Sequence, residues 1–211
     1  MLRNLLFDLA GVVMNLNIER DTEALSAAGF PCFEECCRNP LIRKPMLTFL
    51  NGLCSEQEFF SNIRGVCRES VSDDELRWAM NAVLDDIPRE RIERIIALRK
   101  HYRTYLLTNI YTDAWQHALN EVEGKGYRME DIFDRVFLSY ELKLAKPDVR
   151  IFQHVIDVTG IKPEETLFFD DNKDNTTSAQ AMGFNTCLVP CNKLEDSLLD
   201  AGMILDDSRE F

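Results

Sequence analysis

The stretch LLFDLAGVVMN, residues 5–15, is apolar almost throughout, yet Asp8 stands inside it with no basic residue near enough in sequence to pair with it. An unpaired buried carboxylate costs several kcal/mol, a penalty few single substitutions exceed. Asp8 is therefore expected at the end of a buried strand, turned toward a ligand.

Four further short apolar runs, 104–108 (TYLLT), 135–139 (RVFLS), 166–170 (TLFFD) and 185–189 (NTCLV), have strand length and are rich in β-branched and aromatic residues. Helical patterns separate most of them. Residues 88–100 put Ile92, Ile95 and Ile96 on one face, and residues 147–158 do so with Ile151, Phe152, Val155 and Ile156, with Pro147 expected at the first helical position. Gly160 and Gly183 read as helix stops. Strands apolar on both faces and alternating with helices predict an α/β fold: a doubly wound, Rossmann-like parallel sheet covered by helices on both sides.

Residues 17–87 contain no strand-like run. Ser55 with Glu58 and Ser72 with Glu75 form capping-box patterns, and Gly29 would close an earlier helix, so this block reads as an all-helical cap inserted after the first strand. The core is then residues 1–16 and 88–211. Phe49, Phe59, Phe60 and Trp78 are expected in the core of the insert. Leu198, Leu199 and Ile204 in the tail after Pro190 would pack on the core or on a partner.

A formal charge of −12 argues against a nucleic-acid or anionic-membrane surface, both of which need clustered Lys and Arg. An anionic ligand would need local cations. The amino-terminal run, broken by Asp8, fits neither a secretory signal nor a spanning helix of about 20 apolar residues, and a cytoplasmic location is expected. Seven scattered cysteines without a C-x-x-C, and three histidines, support neither a disulfide framework nor a zinc cluster. Adjacent Cys36 and Cys37 would be reactive only if exposed. The sequence carries no signal for oligomeric state.

Ligands of open α/β sheets bind beyond the carboxyl ends of the strands. At those ends stand Asp8, Thr108 and Asp170, with Asp171 next and Lys146 just before a helix. Three converging carboxylates repel unless a cation sits among them, and hard oxygen donors favour Mg²⁺. The ion would also help hold an anionic substrate, with Lys146 and the Thr108 hydroxyl completing a phosphate-sized site.

The segments FDLAGVV near the amino terminus, LLTN at 106–109, KPD at 146–148 and FFDDNKDN at 168–175 resemble the four motifs of the haloacid dehalogenase-like hydrolases, most closely their bacterial sugar phosphatase branch. The resemblance implies a Mg²⁺-dependent phosphatase of small phosphorylated metabolites, sugar phosphates favoured, in which Asp8 attacks phosphorus and Thr108 and Lys146 hold the transferring oxygens. It further implies Mg²⁺ on Asp8, the backbone carbonyl of Ala10 and Asp170, with Asp171 as ligand or neighbour, and Ala10, Asn109 and Asn172 facing the substrate. Most phosphatases of the family carry a second aspartate, an acid/base group, where Ala10 stands here. General acid–base help is worth about 10²–10⁴-fold, so its loss favours substrates whose leaving oxygen needs little protonation. The alternatives are a haloacid dehalogenase, a catalytically impaired phosphate-binding relative, and a receiver-like phosphoacceptor; the last is shorter and carries its acidic pair first in the chain.

Overall fold

A computed structural model describes residues 1–30 and 39–203. Five parallel strands, β1 (Asn4–Phe7), β2 (Arg103–Thr108), β3 (Arg135–Leu138), β4 (Thr166–Asp170) and β5 (Asn185–Leu188), form one sheet in the order β3-β2-β1-β4-β5. The doubly wound expectation is met. β1 pairs with β2 on one side and β4 on the other, Phe7 lying opposite both Leu106 and Phe169, so the strand order reverses at β1.

The alternation of side chains builds a core on each face. Leu5, Phe7, Leu106, Leu138 and Phe169 enter one cluster, and Leu6, Tyr105, Leu107, Phe137 and Phe168 the other. Each such burial contributes roughly 1.5–3 kcal/mol. Phe7 stacks on Phe169 at 5.0 Å between ring centroids.

Between β1 and β2 the chain forms α1 (Ile18–Ala27), α2 (Pro40–Leu50), α3 (Glu56–Ile63), α4 (Asp73–Asn81) and then α5 (Arg89–Leu98). The Ser55/Glu58 and Ser72/Glu75 capping boxes are formed, opening α3 and α4. A third core joins the insert: Ala24, Phe59, Phe60, Ile63, Leu76 and Ala79. Trp78 does not join it and is 56% exposed, because Leu76 and Ala79 define the buried face of α4 and Trp78 points about 100° or more away from both. Phe49 is half-buried and stacks on Phe59 and, across to the sheet side, on Tyr111.

Among the described residues the later α-helices are α6 (Thr112–Glu123), α7 (Met129–Ile132), α8 (Ser139–Leu142), α9 (Val149–Thr159), α10 (Lys173–Ala181) and α11 (Leu194–Asp200). Pro147 is not the first residue of α9; Asp148 caps that helix by accepting from the Arg150 amide at 2.9 Å, which moves the start two residues on. Gly160 ends α9 in the left-handed conformation. α11 packs on the core through Leu194 and Leu198, while Leu199 is exposed. Ile204, Cys36 and Cys37 lie outside the described residues. No helix among the described residues is long and apolar enough to cross a membrane.

Candidate active site

Three strand ends and two following loops deliver the polar groups. Asp8 follows β1, Thr108 and Asp170 are the last residues of β2 and β4, Asp171 comes next, and Lys146 sits before α9. Asp8, Asp170 and Asp171 each offer a carboxylate oxygen, all within 4.8 Å of one another. Lys146 Nζ lies 2.8 Å from Asp8 Oδ1 and 2.7 Å from Asp170 Oδ2, with the lysine 2% exposed. Asp8 sits at the strand end as its sequence context required, and its burial is offset by a lysine 138 positions away in the chain.

The oxygens differ in how they are held. Asp8 Oδ1 also accepts from the Leu9 amide at 2.7 Å, so both of these bonds fall on one oxygen of the carboxylate. Asp170 is fixed from several sides: the Asn172 amide donates to Oδ1 at 2.8 Å and the Asn175 side-chain amide reaches both oxygens, at 3.0 and 3.1 Å. Asn175 escaped notice in the sequence although it lies within the FFDDNKDN run; its place in the first turn of α10 turns its amide back toward the preceding strand end.

Asn109 uses both ends of its amide on the Lys146 backbone, donating to its carbonyl and accepting from its N–H, each at 2.8 Å. It therefore fixes the lysine. Asn172 caps α10, accepting from the Asp174 amide at 2.8 Å, and is exposed. Ala10 is half-buried two residues beyond Asp8. Thr108 is buried, and its Oγ1 has no hydrogen-bond partner among the described residues.

Burial pushes the Asp8 carboxyl up to about 7 against the pull of Lys146, and the charges of Asp170 and Asp171 add to the rise. Burial, then the charge of Asp170, raises Asp171 to about 6. Burial disfavours the Lys146 ammonium, but Asp170 and Asp8 more than offset it and hold its pKa above the ordinary lysine value. Three carboxylates against one ammonium leave two formal negative charges. All the donors are hard oxygens, so the cluster fits one divalent cation of the Mg²⁺ type, and the orphaned Thr108 hydroxyl fits an oxyanion beside it.

Residues 2–183 match the family model of the haloacid dehalogenase-like hydrolases. The chain belongs to that family. A D-ribitol-5-phosphate phosphatase of Bacteroides thetaiotaomicron is 27% identical over 188 residues, covering 88% of this chain and 91% of the relative. The crystal structure of a haloacid dehalogenase family enzyme of the same species superimposes with a TM-score of 0.81 at 35% identity, covering 94% of this chain and 98% of that one. A second structure of that enzyme, in complex with magnesium and inorganic phosphate, gives 0.74 at 34% identity over 91% of this chain and 96% of its own. The haloacid dehalogenase-like core thus carries the acidic cluster at its strand ends, and the helical insert stands over the same edge of the sheet: Ser139 Oγ, just after β3, donates to the Leu50 carbonyl at 2.5 Å. A cavity of about 360 Å³ opens between insert and core, lined by Phe49, Glu56, Arg77, Tyr111, Tyr140 and Lys143 among others.

Proposed function

We propose that this haloacid dehalogenase-like hydrolase is a Mg²⁺-dependent phosphomonoesterase acting on small phosphorylated metabolites, sugar phosphates foremost, through a phosphoenzyme on Asp8. The observation that carries the reading is the convergence of Asp8, Asp170 and Asp171 around the Lys146 ammonium, with the buried hydroxyl of Thr108, at the end of the neighbouring strand, unpartnered among the described residues. The phosphatase relative and the magnesium and phosphate complex of the structural neighbour support it.

In this reading residues 1–16 and 88–211 are the catalytic core and 17–87 the cap that covers the substrate. Asp8 Oδ1 is tied to Leu9 and Lys146, so Oδ2 attacks phosphorus; the Oδ2–P bond forms as the ester P–O bond breaks and the alcohol oxygen leaves. Lys146, held by Asn109, and the Thr108 hydroxyl bind the non-bridging oxygens of the transferring group. Water then opens the acyl phosphate, returning Asp8 and releasing inorganic phosphate. Asp8, Asp170 and Asp171 with the Ala10 carbonyl would hold Mg²⁺, which when bound supplies positive charge to offset the carboxylates and the phosphate. Ala10 gives the leaving oxygen no proton, so anomeric and aryl phosphates suit the site better than simple alkyl ones.

A screen of phosphomonoesters with Mg²⁺, run in parallel on the wild type and Asp8→Asn, tests this. Phosphate release by the wild type, lost in the variant and on chelation, is expected. Undiminished turnover by Asp8→Asn, or halide release from chloroacetate without metal, overturns it.

A further inference from the structure

The loop that follows Asp8 is shaped from within but placed from outside. Its own bonds run from the Val12 amide to the Leu9 carbonyl at 3.2 Å, from the Met14 amide to the same carbonyl at 2.7 Å, and from the Gly11 amide to the Met14 carbonyl at 2.8 Å. None of these ties the loop to the rest of the core.

The outside ties come from three places: the Asp85–Asp86 segment, where the Asn15 amide donates to the Asp86 carbonyl at 2.9 Å and the Asp85 amide to the Asn15 carbonyl at 3.1 Å, Arg91 of α5, and the segment beyond β5. The Asn192 amide donates to the Gly11 carbonyl at 2.8 Å, and its side chain pairs with both sides of Leu16, accepting from the N–H at 2.8 Å and donating to the carbonyl at 2.9 Å. Arg91 of α5, 3% exposed, completes the clamp. Its Nη1 donates to the carbonyls of Val12 and Val13 and to Asn15 Oδ1 at 2.9, 3.1 and 3.0 Å, while Nε and Nη2 grip Glu195 at 2.6 and 2.9 Å. A buried guanidinium thus joins the loop after the nucleophile to the segment that opens α11. Every one of its nitrogens donates a bond.

The placement of this loop reaches the acidic cluster directly. Gly11 packs so closely on Asp171 that an added Cβ would overlap Asp171 Oδ2. A shift of the Gly11 backbone therefore shifts Asp171, and carries Ala10 with it.

We propose that the segment after β5 is a latch for the loop following Asp8, with Asn192 and Arg91 as positioning residues that hold Gly11, Asp171 and the Ala10 backbone in register. This segment lies past residue 183, where the match to the family model ends. The kinetic arm of the proposal rests on the phosphatase reading; its structural arm does not.

Asn192→Gly is the sharp test, because Asn192 already has a positive φ of 63°, which glycine adopts freely, so the variant removes the side-chain carboxamide that holds Leu16 and keeps the backbone N–H on the Gly11 carbonyl. Three measurements are made: hydrogen exchange at Gly11, Val12 and Met14, Mg²⁺ affinity by calorimetry, and kcat and KM on an aryl phosphate. The latch predicts faster exchange at all three amides, none of which bonds the Asn192 side chain, and weaker Mg²⁺ binding. It also predicts a kcat at least ~10-fold lower at nearly constant KM, since about an ångström of misplacement can cost roughly 10²-fold. Arg91→Lys, which keeps the charge but cannot span the same acceptors, should act in the same direction. If exchange quickens at Leu16 alone and both Mg²⁺ affinity and kcat stay at wild-type values, the latch is refuted. If the wild type hydrolyses no phosphomonoester, the functional reading fails by itself, and exchange at Gly11, Val12 and Met14 still decides the latch.

Discussion

Lys146 and Asp8 meet at 2.8 Å although they lie 138 positions apart in the chain, and both are almost wholly removed from water. The same ammonium touches Asp170 at 2.7 Å, so a single cation serves carboxylates from two adjacent strands on either side of the point where strand order reverses. Neither carboxylate has a comparable partner within its own stretch of chain. The lysine is thus part of the fold as much as of the site.

Lys146→Met keeps the bulk of the side chain and deletes its charge. Removing one partner of a buried ion pair costs about 3–5 kcal/mol because the charge left behind is uncompensated. The variant's loss of stability in urea unfolding should be small at pH well below about 7, where wild-type Asp8 carries a proton, and grow toward that order as pH rises past it, because Asp8 without the ammonium that lowers its pKa keeps its proton to higher pH. Added Mg²⁺ should recover part of the loss. Equal stability of variant and wild type above that pH would show that the ion pair carries no such weight.

Metal binding should depend on pH in a direction set by the raised carboxyls. Between the ordinary value of 3.8 and about 7 the folded, metal-free chain keeps a proton on Asp8 that the unfolded chain has lost, so this group costs stability progressively as pH rises through that window. Asp171, raised to about 6, acts in the same sense over a narrower range. Mg²⁺ must displace those protons, so its affinity should fall by up to about tenfold per pH unit for each proton displaced as pH drops from about 8 to about 5.5. The thermal shift given by Mg²⁺ should shrink in parallel. A flat calorimetric affinity across that range would contradict the assignment of these carboxylates as ligands.

The sheet and the acidic cluster were legible in the sequence because each depends on short-range pattern: apolar runs of strand length, two of them ending in a carboxylate and a third in a threonine. Asp8, Thr108 and Asp170 declared themselves by standing where a buried strand runs out. What stayed hidden depends on contacts distant in the chain. Asn109 was expected against the substrate, yet its amide has the same donor–acceptor geometry as a peptide and pairs with the Lys146 backbone. Asn192 and Arg91 carry no local pattern at all; an asparagine after a proline-containing turn and one arginine among several on a helix announce nothing until the chain is folded. Trp78 was misplaced for a different reason, since aromatic character alone does not say which face of a short helix is buried.

Gly11→Ala separates metal geometry from folding. The new methyl would meet the far end of the Asp171 side chain, which can swing aside, whereas the φ of +78° adds strain at the turn. Mg²⁺ affinity and activity should therefore fall more steeply than stability. Isothermal calorimetry and thermal unfolding on the same sample check this, and a variant that binds Mg²⁺ as tightly as the wild type would mean that Asp171 plays no part in holding the ion.

Ala10→Asp asks whether the missing acid/base group explains substrate choice. A methyl group two residues past Asp8 neither protonates a leaving oxygen nor activates water, so at present the departing group must carry its own negative charge or find a proton in solvent. Aryl and anomeric oxygens tolerate this; alkoxides of simple alkyl phosphates do not. Restoring a carboxyl should thus leave aryl phosphate turnover nearly unchanged and raise alkyl phosphate turnover, moving the alkyl-to-aryl kcat ratio by about 10²-fold, the lower end of what a positioned acid contributes. The added carboxyl also joins an already crowded acidic cluster, so the comparison is made at saturating Mg²⁺, where weaker metal binding cannot masquerade as slower chemistry. An unchanged ratio would mean that proton delivery at the leaving oxygen is not what Ala10 withholds, and that another group in the site already supplies it.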